Sequence, residues 1–131
     1  MNKGRQRGFT LLELLIVISI IFILIGMAVG RYDRAQLRAR EAVLRTDLQT
    51  MRSAIDNFTL DKQAAPQSLE DLVTEKYLRE IPVDPITHAK DWVLQYEDVA
   101  LSPTQSGSGI TDVHSASTGT SPFENTAYNT W

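Results

Sequence analysis

The chain of 131 residues has no cysteine, so its fold relies on no disulfide and any bound metal would have oxygen ligands. Histidine is nearly absent as well. His88 and His114 are the only two, too few and too isolated for a zinc site or a Ser/His/Asp arrangement. Acidic residues are missing from the first eight positions, where Lys3, Arg5 and Arg7 are the only charges. All 16 acids follow Gly8 with 10 bases, a balance of −6 beyond that point. Phosphate binding needs a positive surface, so nucleic acid is not the expected partner. "SGSG" at 106–109 lacks the strand and helix context of a phosphate loop, and no nucleophile, base and oxyanion donor converge. The expectation is a chain with no catalytic residues, not an enzyme.

What the sequence does have is a long apolar run. Phe9 to Val29 is interrupted only by Thr10, Glu13 and Ser19. As a helix rising about 1.5 Å per residue it reaches roughly 30 Å, the thickness of a bilayer core. A basic stretch followed by such a run has three readings: a secretory signal peptide with Gly26-Met27-Ala28 imitating a cleavage site, a plain anchor, or a special export signal. The positive residues ahead of the run orient the N-terminus toward the cytoplasm. Glu13 separates the readings, because an acid at the centre of a membrane helix costs roughly 2.5–3.5 kcal/mol. A plain anchor leaves Glu13 at the headgroup level, whereas a special signal gives it a task.

Gly8-Phe9-Thr10-Leu11-Leu12-Glu13 after a short basic leader resembles the class III signal of type IV pilins and type II secretion pseudopilins. The resemblance implies that a prepilin peptidase cuts between Gly8 and Phe9 and methylates the new amine of Phe9. It also makes Glu13 the fifth residue of the mature chain. An α-amine on Phe9 and a carboxylate on Glu13 are each costly to desolvate alone and less so as a pair. Pairing between neighbouring subunits would set the axial register of a filament, so Phe9 and Glu13 are expected to act in assembly.

Beyond Gly30 the sequence turns polar but holds neither proline nor glycine up to Leu60. Leu37, Leu44, Leu48, Met51, Ile55 and Phe58 recur at spacings of seven, four, three, four and three, one face of a helix. Joined to the apolar run, this predicts a helix of about 50 residues whose first half packs among identical neighbours and whose second half carries a head. Gly26 and Gly30 form a G-x-x-x-G pair suited to close helix packing in a membrane. Related proteins commonly place a helix-breaking proline where this chain has Gly30. Glycine weakens a helix by roughly 1 kcal/mol relative to alanine, which leaves room for local melting there.

In the head, Ser68 with Asp71 three residues on predicts an N-cap and a short helix ending near Tyr77, with Leu69, Leu72, Val73 and Leu78 inward. "DWVLQYED" alternates Trp92, Leu94 and Tyr96 against Val93, Gln95 and Glu97, a strand with one buried face. "ITDVHS" reads as a second strand after a flexible turn, "SPTQSGSG". The expected fold class is α+β: a long N-terminal helix, membrane-spanning in its first half, on a small antiparallel sheet with a short extra helix. The expected segments are a cleaved leader at 1–8, an assembly helix at 9–30, its amphipathic continuation at 31–60 and a head at 61–131.

The order of these pieces resembles the G-type major pseudopilin. That resemblance implies a C-terminal loop binding calcium, for which this chain offers Glu124 with Asp112 and Asn125. Calcium favours six to eight oxygens, several of them charged. The alternative is a metal-free loop pinned by Phe123, Tyr128 and Trp131, so no cofactor is certain. The implied partners are further copies in a helical filament, the prepilin peptidase, minor pseudopilins, the inner-membrane secretion platform and the membrane itself. The implied location is the inner membrane with a periplasmic head. Two rivals stay open: a type IV pilin or minor pilin, and a membrane-tethered binding module that never polymerises.

Overall fold

The computed structural model describes residues 8–102 and 105–131, with residues 100–102 and 105–106 described by backbone alone. The basic leader residues Lys3, Arg5 and Arg7 and the middle of the expected flexible turn, residues 103–104, lie outside the described residues.

Thr10 starts the long helix. Its Oγ1 accepts the Glu13 N–H at 3.1 Å, which satisfies one of the amides that the first helical turn leaves without a partner. Helix α1 then runs Leu11–Lys62, 52 residues, unbroken through Gly26 and Gly30. It stops where Gln63 takes a left-handed φ of 52°.

Two compact units divide the chain after Arg38. The first holds the apolar part of α1, long and apolar enough by length and composition to cross a membrane, and none of that stretch is buried. The second unit, Ala39–Trp131, has a core of its own. Leu44, Leu48, Met51 and Ile55 of α1 are buried there, as the heptad-like spacing requires. Leu69 and Leu72 of a short helix α2, Leu69–Thr74, join them, with Leu78, Trp92, Ile110, Val113 and Tyr128.

Helix α2 opens with a complete capping box. Ser68 Oγ accepts the Asp71 N–H, while the Asp71 carboxylate accepts the Ser68 N–H at 3.0 Å. It ends three residues before Tyr77, earlier than the sequence suggests. Lys76 adopts φ 65°, and the N–H groups of Tyr77 and Leu78 both return to Leu72 O at 2.8 and 3.0 Å, closing the helix.

Strands β1, Val93–Ser102, and β2, Gln105–His114, form a two-stranded antiparallel sheet. The architecture is α+β, as expected. The segment read as a flexible turn is instead mostly strand: Ser106 pairs with Ala100, Gly107 with Val99 and Gly109 with Glu97. Small residues hid this pairing, because Gly and Ser carry no strand signal of their own. Thr111 stands unopposed between the pairs Gln95↔Asp112 and Tyr96↔Ile110, a bulge in β2. Leu94 is half-buried as expected, but Tyr96 is 54% exposed although it faces the buried Ile110. Its hydroxyl reaches the Gln67 carbonyl at 3.4 Å, at the outer margin of the core.

Candidate functional site

Two places carry the residues singled out by the sequence. The first is the start of α1. Gly8 and Phe9 precede the helix in irregular backbone, and Phe9 is 85% exposed. Accessible, unstructured backbone at this bond suits a protease, because cleavage requires an extended strand of substrate. Glu13 occupies the third position of α1, where a carboxylate is favoured by the positive end of the helix dipole. Thr10 and Glu13 therefore read as a cap in a single chain, a local role that the sequence reasoning did not assign to them. The signal was present as T-x-x-E. Further along, nothing lies within 4 Å of a Cβ built on Gly26 or Gly30, so both present open helix surface.

The second place is the C-terminal segment of the head, where one face of α1 meets the last residues of the chain. Glu41, Arg45, Leu48 and Arg52 follow at helical spacing of four, three and four. Tyr128 donates its hydroxyl to Glu41 Oε1 at 2.7 Å, and both side chains are buried. Burial and then the Glu41 carboxylate push the Tyr128 phenol up to about 12. Arg45 pairs with Glu124 and lies 4.3 Å over the Trp131 ring, which meets Tyr128 edge to face at 5.1 Å. Arg52 is the most heavily used: Nε donates to Asp112 Oδ1 at 2.6 Å, and Nη2 donates to the main-chain oxygens of Val113 and Trp131 at 3.0 and 2.7 Å. His114 Nδ1 lies 2.8 Å from the same Trp131 oxygen. Arg45, Leu48, Arg52, Glu124 and Trp131 border a cleft of about 690 Å³.

Asp112 and Glu124, offered as calcium ligands, are thus each engaged by a guanidinium from α1. Asn125 serves the backbone. It takes φ 54°, a conformation asparagine tolerates better than most residues, and closes a turn by donating its N–H to Ser121 O at 2.9 Å. Among the described residues no three His, Asp or Glu side chains are gathered where they could hold a metal. A hard dication wants several free carboxylates, so this donor set does not fit calcium.

Sequence reasoning missed a further cluster, centred on Asp84. Asp84 is fully buried. Its Oδ1 accepts the N–H groups of Ile86 and Thr87 at 2.7 and 3.2 Å, and Oδ2 accepts the Ser115 hydroxyl. The Asp-Pro at 84–85 signals such a turn, but nothing in the pattern announces the partner at Ser115. Desolvation and then the charge of Asp84 raise the Asp47 carboxyl above its usual value.

The apolar, uncovered start of α1 behind a capped, accessible Gly8–Phe9 bond defines the class of the protein as pilin-like. A family profile described as "Prokaryotic N-terminal methylation motif" matches residues 3–29. Among curated proteins, the chain is 33% identical over 127 residues to a type II secretion system core protein G of Klebsiella michiganensis, covering 82% of this chain and 81% of the relative. It is 32% identical over 101 residues to the core protein G of Pseudomonas aeruginosa, covering 65% of this chain and 71% of the relative. A type IV major fimbrial protein FimA of Dichelobacter nodosus is 38% identical over 63 residues, 48% of this chain and 40% of that protein. The chain belongs to the family of type II secretion system core protein G. No solved structure matches it.

Proposed function

We propose that the protein is the structural subunit of a pseudopilus that helps drive protein export through a type II secretion system. The observation that carries this reading is the wholly exposed apolar start of α1 behind the methylation motif, in a chain whose core G relatives align over most of its length. An apolar helix surface of that size is stable in lipid or against copies of itself, and a filament of parallel helices provides the second environment. The subunit would be stored in the inner membrane with its N-terminus cytoplasmic and its head periplasmic. A prepilin peptidase would remove residues 1–8 and methylate Phe9. In the filament Glu13 would pair with the Phe9 amine of a neighbour, and the open surface at Gly26 and Gly30 would admit a close helix. Minor pseudopilins and the inner-membrane platform are the further partners of this reading.

The FimA match supports a second reading, a type IV pilin, over about half of the chain. Deleting the gene separates the two: loss of protein export with intact surface motility supports the secretion reading. Processing has its own test. Intact-mass spectrometry of the membrane-extracted protein should give a chain starting at methylated Phe9, and Gly8→Val should retain the leader. A chain still carrying Met1, or one starting after Ala28, would overturn the pilin-like reading.

A further inference from the structure

The C-terminal segment of the head is tied to α1 by positive charge, and that charge is built into the chain. Asp112, the carbonyl of Val113 and the main-chain oxygen of Trp131 converge on one group, the Arg52 guanidinium, at 2.6–3.0 Å. Three oxygens from two strands of chain, one of them anionic, form the kind of donor set that a bound cation would otherwise gather. Two turns earlier on the same helical face, Arg45 takes Glu124 and covers the Trp131 ring. A guanidinium has five donors in a fixed planar fork and is never deprotonated, so it fills such a site with defined directions at any ordinary pH. We propose that Arg45 and Arg52 act as the resident cations of the C-terminal loop, fastening Asp112, Glu124 and Trp131 to α1 in place of a bound calcium ion.

Other candidates carry less. The buried Asp84 is fully satisfied by its own turn and Ser115, which leaves it no ligand to seek. The basic side chains Arg31 and Arg34 are exposed, with no feature that selects what would cover them.

The inference does not depend on the secretion reading and is tested on the full chain in detergent by amide hydrogen exchange, with calcium and then with EDTA. Exchange across residues 115–131 should be the same in both. Arg52→Gln should speed exchange in that segment by about tenfold or more, equivalent to roughly 1.4 kcal/mol, while amides of α2 keep their protection and show that the head is folded. Arg52→Lys, which keeps the charge but loses the fork, should fall between parent and Arg52→Gln. Protection of 115–131 in the parent that requires calcium and is lost in EDTA would overturn the proposal. So would parent-like exchange in both Arg52→Gln and Arg45→Gln.

Discussion

Tyr128 and Glu41 show how much one buried polar pair decides in this head. The phenol donates to a carboxylate that is only 6% exposed, so removing the hydroxyl leaves an acid in the core without its partner. Tyr128→Phe should cost about 1–3 kcal/mol at neutral pH, read as a lower thermal midpoint. The pH dependence has a definite sign. The folded phenol titrates near 12 rather than at the ordinary 10, so its contribution is fully present below 10 and is lost as pH rises through about 12. The gap between parent and Tyr128→Phe should therefore be constant up to pH 10 and close above it. A gap unchanged at pH 12 would show that the phenol is not held by Glu41. Asp47 has the same sign and the same leading cause: burial, and then the charge of Asp84, favours its protonated form, so it opposes folding at neutral pH and ceases to do so in acid.

Among the elements, β2 owes its position to a missing side chain. A Cβ on Gly109 would stand 2.4 Å from Ala65 Cβ and 2.9 Å from Pro66 O, while the neighbouring Ile110 N–H bonds that same Pro66 oxygen at 2.8 Å. Gly107, two residues earlier, meets nothing within 4 Å. Gly109→Ala should lower stability by about 1–3 kcal/mol, whereas Gly107→Ala should change it by less than about 0.5 kcal/mol; equal effects on the thermal midpoint would contradict this docking. Periodicity made α1 legible, since Leu44, Leu48, Met51 and Ile55 announce one buried face. The Ser68 capping box was equally readable, being a local exchange of hydrogen bonds. The first half of β2 was not, because Ser106 to Gly109 acquire strand geometry from pairing with β1 and not from their own preference. At the candidate site the processing motif could be read from contiguous residues. The roles of Arg45 and Arg52 could not, because their partners lie 60 to 79 positions away and either arginine alone reads as a solvated surface charge.

For the molecule as a whole, Glu13 is the residue on which the proposed assembly turns. Alone, it sits at the favoured acidic position behind the Thr10 cap, worth about 0.3–1 kcal/mol. That is little for a helix of 52 residues. Glu13→Ala and Glu13→Gln should both accumulate, insert and be cut after Gly8, yet fail to form filaments or support export. Assembly of Glu13→Gln at the parent level would exclude charge pairing with Phe9 and leave only the cap. The head has a different dependence, one of timing. The contacts that close it join Glu41 to Tyr128 across 87 positions and Arg45 to Glu124 across 79. Closing loops of that length carries an entropic cost that local contacts within α2 and the β1–β2 hairpin do not meet. During synthesis Glu41, Arg45 and Arg52 are made 87, 79 and 60 residues ahead of Tyr128, Glu124 and Asp112, the partners they hold. The head therefore cannot close before β2 and the segment that follows it have joined α1, and its first-made helix face is completed by its later-made residues.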